Sequence, residues 1–157
     1  MNIFVTSKCP TKAAKFLDDK RVVKMVLESA QMLSTAITEH GGKAPYKPTH
    51  KNHPCNVWAR KTRANYLWLL NHFIALANEY TSRYQKIHKS FNLLPQLLHG
   101  AEHIPNGKLT PFANCAAHAE LGLSYKHIKD IEKAYQLYLN DRWDTDKRIP
   151  TWYGENR

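Results

Sequence analysis

The segment from Asp18 to Thr35 constrains this chain most, because its polar residues fall on one narrow line of a helix. At helical spacing, that polar line consists of Arg21, Lys24, Glu28, Gln31 and Thr35. The other positions are mostly apolar, which gives more apolar surface than the single stripe of a surface helix. The segment therefore predicts a helix that is buried on most sides, with its polar line facing water, a polar partner or a functional site.

Two interpretations of Glu28, the one carboxylate in this line, stay open from the sequence. In the first interpretation, Glu28 forms a solvated ion pair with Lys24 one turn earlier, worth a few tenths of a kcal/mol. In the second, Glu28 lines an active site and acts there as an acid or base. Gln31, His72 and Glu79 are further candidates for a polar pocket. For Glu79 the simpler interpretation is an ion pair with Arg83, and the sequence does not tell whether Glu28 and Glu79 share a site.

The charge balance predicts a polyanionic partner. Twenty-three Lys and Arg residues against 13 Asp and Glu residues give a formal net charge of +10 in a chain of 157 residues. No apolar run reaches the roughly 18 residues of a membrane span, so the charge favours nucleic acid over membrane. The length is that of one domain, residues 1–157, with a core of its own.

The helical periodicity predicts an all-α fold, a compact single-domain helical bundle with long functional loops. One helix is expected from about residue 12, with a restart capped by Asp18, to the glycines at 41–42. A second helical region spans 56–89, as one helix or two with a bend, and a final helix spans 125–141. The first six residues form a strand or a terminus packed into the core, and 43–55 is a long loop with three prolines.

Basic and aromatic residues supply the candidate nucleic-acid contacts, since phosphates need cations and bases stack on aromatic rings. Between Glu39 and Glu102 the only acidic residue is Glu79, whereas nine lysines and arginines occur there. The candidates are Arg21, Lys47, His50, Lys51, Asn52, His53, Arg60, Arg63, Arg83, Lys147, Arg148, Trp152 and Tyr153. Trp152 and Tyr153 either pack back onto the core or form a stacking platform beside a basic patch.

The loop residues His50, His53 and Cys55 suggest zinc, but their spacing matches no standard arrangement and a further ligand would have to come from a distant part of the chain. We therefore expect no metal and no cofactor. Three widely separated cysteines make a disulfide framework unexpected, and no signal peptide is visible. A reducing cytoplasm is the expected location, that of the host if the chain is phage-encoded.

The segment Pro150-Thr151-Trp152-Tyr153-Gly154 resembles the C-terminus of the bacteriophage pyrimidine-dimer DNA glycosylases of the endonuclease V type. The segments 19–28, 48–55 and 79–84 carry a second resemblance, which covers most of the chain: they look like a group of small uncharacterised proteins of tailed phages. The glycosylase resemblance implies a helical fold without metal, an α-amine that attacks the sugar C1′ through a Schiff base, and an assisting Glu. It implies DNA contact by Trp152 and Tyr153, and Glu28 is the best-placed assisting carboxylate. The chain departs from that family at Asn2, which is bulky enough to retain Met1, where the family exposes a small residue.

Our preferred hypothesis is a DNA glycosylase, with or without AP-lyase activity, that acts on a damaged or modified base in double-stranded DNA. Glu28 is its acid or base, and Met1 or Lys24 is the amine nucleophile. One alternative is a non-catalytic basic phage protein that binds nucleic acid or a host protein. Another is an enzyme or binder of free nucleotides. The sequence leaves the lesion and the oligomeric state open.

Overall fold

The computed structural model describes residues 1–152, and most of these residues lie in helices. Two strands of two residues each, β1 (Ala117–His118) and β2 (Leu123–Ser124), pair antiparallel. The six helices are α1 (Pro10–Phe16), α2 (Asp19–Glu39), α3 (Pro54–Lys61), α4 (Arg63–Tyr84), α5 (Leu94–Gly100) and α6 (Ile131–Thr145). The all-α prediction is therefore corrected to a mostly helical fold with one small ribbon, whose strands are too short to show an alternating pattern in the sequence.

Helix α2 begins and ends where its sequence predicts. Asp18 caps it by accepting hydrogen bonds from the backbone N–H groups of Lys20 and Arg21. At the other end, Gly41 has φ +81°, a conformation that favours glycine. The Gly41 and Gly42 N–H groups donate to the carbonyls of Thr38 and Ile37, which closes the helix with a Schellman motif.

Helix α2 lies at the centre of the fold, as its apolar surface predicts. It packs against α4 and α3 and contributes Val22, Val26, Met32 and Leu33, each with no exposed surface. Only the edge of the apolar surface, at Val23 and Leu27, remains partly exposed. Three residues of the polar line of α2, Arg21, Lys24 and Glu28, line a cavity in the protein.

The region 56–89, predicted as one helix or two with a bend, is two helices, α3 and α4, and the second ends at Tyr84. The two helices are separated at Thr62, whose extended backbone and hydroxyl cap α4. The final helix begins at Ile131 and not at 125. The side-chain amide of Asn114 binds the carbonyls of Tyr125 and Ile128, and these contacts hold the preceding segment outside the helix.

Three polar residues of α4, Asn65, His72 and Arg83, are buried. The Asn65 amide donates to the Trp58 carbonyl at 2.8 Å, and His72 Nδ1 lies 3.0 Å from the Pro10 carbonyl. Arg83 donates to the Leu17 carbonyl at 2.6 Å and pairs with Glu79. These side chains satisfy the backbone of neighbouring segments, a role that helical periodicity cannot distinguish from solvent exposure.

The fully buried Asp18 carboxylate links the start of α2 to α6. Arg21 Nη1 donates to Asp18 Oδ2 at 2.8 Å, and the Trp143 indole N–H donates to the same oxygen at 2.7 Å. We expect Asp18→Ala to lower the free energy of unfolding by about 3–5 kcal/mol, because it leaves buried partners unpaired. Urea unfolding followed by circular dichroism measures this loss.

Asp130→Ala is the matched control, since Asp130 is an exposed N-cap that accepts from the Lys133 N–H. Loss of such a cap alone costs about 1 kcal/mol. Equal losses in the two variants would show that Asp18 acts only as a cap.

His72 makes the stability of the fold sensitive to acid. Burial lowers the pKa of this fully buried ring to about 4. Between the ordinary histidine pKa and this value, the unfolded chain binds a proton that the folded chain does not. The free energy of unfolding therefore falls as pH decreases through that window, by at most about 1.4 kcal/mol per pH unit.

We expect His72→Asn to be less stable at pH 7 but to lose less stability between pH 6.5 and 4. The Asn amide can still donate to the Pro10 carbonyl, whereas it does not titrate. Urea unfolding at several pH values compares the two slopes. Parallel slopes would exclude His72 as the source of the pH dependence.

Across residues 1–152, no helix is both long enough and apolar enough to cross a membrane.

Candidate active site

The first six residues form a terminus packed into the core and not a strand. Ile3 and Val5 are buried, and Phe4 adopts a left-handed backbone with φ +57°. Such a backbone costs about 1–2 kcal/mol in a residue with a side chain. The Phe4 ring packs against Tyr135 and Tyr138 of α6, and these contacts offset the strain. The bend at Phe4 directs Met1 toward α2.

The Asn2 side chain holds this terminus in place. Its Oδ1 accepts hydrogen bonds from the Ile3 N–H at 2.8 Å and from the Tyr135 hydroxyl at 2.9 Å. Its Nδ2 donates to the Cys115 carbonyl at 3.2 Å. The sequence indicated only that Asn2 is bulky. In the structure it joins the terminus to α6 and to the loop before β1.

Met1 is held from its other side by Asn56 of α3. Asn56 Nδ2 lies 3.3 Å from Met1 Sδ and donates to the carbonyls of Thr49 and His50 at 3.1 and 2.9 Å. One buried amide therefore fixes both the Met1 side chain and the end of the long loop. Periodicity gives no signal for this role, because Asn56 lies in the first turn of a short helix.

The Met1 amine and Glu28 form a close pair. The amine nitrogen lies 3.7 Å from Glu28 Oε2, and only 12% of the Glu28 side chain is exposed. Lys24 Nζ lies 3.3 Å from the other carboxylate oxygen, but the Lys24 side chain is 71% exposed. The ion pair expected one turn apart is thus present. Glu28 nevertheless contacts a second amine, which brings the chain terminus and the polar line of α2 together.

This pair lies in a cavity of about 490 Å³, which we call the amine cavity. Its volume is in the range of small-molecule sites, about 300–1,000 Å³. Besides Met1 and Glu28, its lining includes Lys20, Arg21, Lys24, His118, Arg142 and Asp146. Cationic groups outnumber carboxylates in this lining, so the cavity suits an anionic ligand such as a nucleic-acid phosphate.

Two carboxylates, those of Asp18 and Asp146, hold the Arg21 guanidinium in a fixed position at the wall of the amine cavity. Arg21 Nη1 lies 2.8 Å from Asp18 Oδ2 and 3.1 Å from Asp146 Oδ2. Although burial opposes its charge, these carboxylates raise the pKa of Arg21. Burial likewise acts against the charge of Asp146, but Arg21 holds its pKa below the ordinary value. Arg21 therefore remains charged at the cavity wall, with only 11% of its side chain exposed.

The sequence did not single out His118 or Arg142, which reach the amine cavity from β1 and α6. His118 Nδ1 and Arg142 Nε are buried and have no hydrogen-bond partner among the described residues. Both residues lie far along the chain from Glu28. Only the tertiary fold brings them to the same cavity.

The predicted loop contacts occupy different environments. Lys47, His50, Lys51 and Asn52 are exposed. His53 is half-buried, and its pKa is lowered by burial and by the positive charge of the Met1 amine. The loop therefore exposes several hydrogen-bond donors to solvent near Met1, which lines the amine cavity.

Three of the predicted arginine contacts are engaged within the protein. Arg60 donates to the Lys51 carbonyl, and Arg63 donates to the carbonyls of Ile104 and Glu102. The Arg83 side chain is only 1% exposed, so direct contact with a DNA phosphate would require it to leave its buried partners. The prediction of Arg83 as a DNA contact therefore conflicts with its burial.

The other predicted polar candidates lie apart from Glu28. Glu79 lines a different cavity, together with Cys9, Lys15 and Asn71. His72 is fully buried, and Gln31 is half-exposed on α2 without lining the amine cavity. Glu28 and Glu79 therefore line different cavities.

The tail packs back onto the fold as far as it is described. The Trp152 ring stacks on Trp143 with a centroid distance of 5.1 Å. Arg148 pairs with Asp19 at 3.0 Å, and Lys147 is exposed. Tyr153 lies outside the described residues. Of the two interpretations of the tail, Trp152 follows the first, since it packs back onto the core.

Two cysteines and a histidine form a second cluster beside Asn2. Potential ligand atoms of His53, Cys55 and Cys115, which we call the thiol cluster, all lie within 4.8 Å of one another. The sequence considered His50 with His53 and Cys55, whereas the fold supplies Cys115 as the distant partner. The amine cavity itself offers amines and carboxylates and no comparable group of metal ligands among residues 1–152.

Among known protein families, a family model described as pyrimidine dimer DNA glycosylase matches residues 1–93, which is more than half of the chain. The matched region contains Met1, Lys24 and Glu28, whereas the tail segment that suggested the resemblance lies outside it. No curated protein and no solved structure matches the chain significantly.

Proposed function

Because the chain belongs to the pyrimidine dimer DNA glycosylase family, we propose that the Met1 amine is its nucleophile and that Glu28 assists the reaction. As a member of this family, it is a DNA N-glycosylase that acts on pyrimidine dimers. Family membership disfavours the two alternatives drawn from the sequence, a non-catalytic binding protein and a protein for free nucleotides. We propose which residues carry out this reaction and the order in which they act.

The observation that carries this proposal is the 3.7 Å separation between the Met1 amine and Glu28 Oε2 at the wall of the amine cavity. An α-amine is a weaker base than a lysine amine, so a larger fraction of it is neutral and nucleophilic near pH 7. Lys24, the rival nucleophile, is largely exposed. The hydrogen bonds of Asn2 hold Met1 in place, as positioning of a reacting group requires.

The proposed chemistry begins with a neutral Met1 amine after Glu28 accepts its proton. The amine nitrogen forms a bond to the sugar C1′, and the bond from C1′ to the base breaks. The base takes that electron pair and the proton held by Glu28, and it stays joined to its neighbour through the bonds of the dimer. The secondary ammonium on C1′ gives one proton to the ring oxygen as the C1′–O bond breaks, which leaves a protonated Schiff base between Met1 and the opened sugar. The Glu28 carboxylate, ionised again, stabilises this cation at short range.

AP-lyase activity follows from the same intermediate. The Schiff base acidifies the proton on C2′, and its removal expels the 3′ phosphate by β-elimination. Glu28 is the carboxylate positioned to take this proton. Water then hydrolyses the imine and releases Met1 as the free amine.

The cationic residues of the amine cavity and the exposed residues of the long loop serve DNA binding in this proposal. The charged wall formed by Arg21 and Lys24, together with Arg142, faces the cavity and suits the phosphates that flank the lesion. The exposed loop residues Lys47, His50, Lys51 and Asn52 contact the backbone of double-stranded DNA farther from the lesion. A glycosylase must draw a base out of the stack, and the amine cavity is large enough to receive one.

A borohydride trap tests the nucleophile. The full chain is incubated with ultraviolet-irradiated duplex DNA or undamaged duplex DNA, reduced, and analysed by intact mass spectrometry and peptide mapping. We expect an adduct with irradiated DNA only, located on the N-terminal peptide at the Met1 nitrogen. Lys24→Arg is the matched control. It removes the lysine amine but keeps the positive charge at position 24 and leaves the Met1 amine in place, so the variant should retain the adduct.

The possible results separate the mechanisms. An adduct on Lys24, or its loss in Lys24→Arg with the N-terminal peptide unmodified, would assign the reaction to Lys24. Cleavage of the glycosidic bond without any adduct would indicate that water attacks directly and would overturn the amine mechanism. Irradiated single strands, tested in parallel, show whether the duplex is required.

A further inference from the structure

The thiol cluster joins three segments that are distant in sequence. His53 caps α3, Cys55 lies in the first turn of that helix, and Cys115 lies in the loop before β1. Asn2 contacts both thiol residues, with its Oδ1 3.8 Å from Cys55 Sγ and its Nδ2 3.2 Å from the Cys115 carbonyl. The cluster therefore lies directly beside the terminal segment but does not line the amine cavity.

The donor atoms of the thiol cluster match one class of metal. Two thiolates and one imidazole form the Cys₂His set that binds Zn²⁺, and such soft ligands disfavour Mg²⁺ and Ca²⁺. In a tetrahedral zinc site, neighbouring ligand atoms lie roughly 3.5–3.8 Å apart, given Zn–S distances of about 2.3 Å. The ligand atoms here are within 4.8 Å of one another, which exceeds the separation in such a site by at most roughly 1.3 Å.

The surroundings of the cluster prepare these groups for binding. Neither cysteine is in a disulfide, and Cys55 is only 1% exposed. The Cys115 N–H donates to the Tyr135 hydroxyl at 3.0 Å, and that hydroxyl donates to Asn2. Such outer contacts fix the orientation of ligands.

From this placement, we infer that His53, Cys55 and Cys115 form a zinc site with a fourth position open to water. The metal joins the start of α3 to the loop before β1 and thereby braces the segment that carries Met1. His53 binds as a neutral imidazole, and its ring gives up the weak contact of 3.2 Å with the Cys55 N–H. This site is independent of the amine mechanism, because no step of that mechanism uses the metal.

Titration of the metal-free full chain with Zn²⁺ and with Co²⁺ tests the site. The protein is kept reduced with a phosphine, and a thiol assay under denaturing conditions first confirms three reduced cysteines per chain. We expect one bound metal per chain and a rise in Tm on adding Zn²⁺. With Co²⁺, we expect a thiolate-to-cobalt charge-transfer band and the intense visible bands of tetrahedral coordination.

Three variants locate the site. Cys115→Ser removes a half-buried ligand, and His53→Asn removes the imidazole but retains an excellent N-cap. Cys9→Ser, at the exposed third cysteine, is the matched control. We expect Cys115→Ser and His53→Asn to weaken zinc binding by at least about 100-fold, because loss of a direct ligand should cost more than loss of an outer contact. We also expect zinc to cause no rise in the Tm of these two variants.

Retention of zinc binding in Cys115→Ser, or its loss in Cys9→Ser, would overturn this assignment. Absence of stoichiometric binding by the reduced wild-type chain would also overturn it. The borohydride trap provides a separate measurement, since failure of the amine mechanism leaves zinc binding unchanged.

Discussion

A short peptide extension ahead of Met1 should abolish the borohydride adduct and slow glycosidic-bond cleavage by at least about 10⁴-fold, the scale of loss when a covalent nucleophile is removed. The extension converts the Met1 amine into an amide, which is neither basic nor nucleophilic. The nitrogen 3.7 Å from Glu28 then can no longer form a Schiff base. Single-turnover cleavage of irradiated duplex DNA measures the loss.

The extension also introduces bulk, so loss of the nucleophilic amine must be distinguished from steric obstruction of DNA binding. A protease that cleaves immediately before Met1 regenerates the native terminus, and we expect activity to return with it. DNA affinity, measured by fluorescence anisotropy for the extended and cleaved forms, shows whether binding survives. Full turnover by an extended chain whose terminus is verified by mass spectrometry would exclude Met1 as the nucleophile.

Glu28→Gln should lower turnover by about 10²–10⁴-fold, the usual contribution of a general acid or base. The amide retains the shape of the side chain but cannot accept a proton or balance a cationic intermediate. The stability of the fold should change little, because the pair lost with exposed Lys24 is worth about 0.3–0.5 kcal/mol and the amide can still bind the Met1 amine. Single-turnover kinetics and thermal unfolding of the same preparation test both expectations.

Glu39→Gln is the matched control for this substitution. Glu39 ends the same helix and is exposed, so the variant should retain both turnover and Tm. If Glu28→Gln loses turnover only in proportion to a fall in folded protein, Glu28 has a structural role and not a chemical one. If turnover falls while the Schiff base adduct still accumulates, Glu28 acts after the amine attack.

The extent of agreement between sequence and structure depends on whether a feature is local. Helix α2 shows this most clearly. The Asp18 cap, the apolar surface and the glycines at 41–42 all lie within or next to one helix, and each acts through contacts a few residues apart. Its limits and its burial could therefore be predicted.

Polar residues within the bundle show the opposite case. Arg83 and His72 lie on one side of α4 with the spacing of a solvent-facing line, but they bind backbone carbonyls of Leu17 and Pro10. The sequence of α4 contains no information about which carbonyls its neighbours leave unpaired. Burial of a polar side chain is stable only when a partner is present, and that partner belongs to another segment.

The candidate site divides in the same way. The sequence alone determined that Glu28 is the single carboxylate in the polar line of α2 and that a basic chain should bind a polyanion. Only the tertiary structure decided that Met1 reaches Glu28, that His118 and Arg142 line the same cavity, and that Cys115 joins His53 and Cys55. Helical periodicity is set by interactions within a few residues, whereas these meetings depend on how segments far apart in the chain pack around one core.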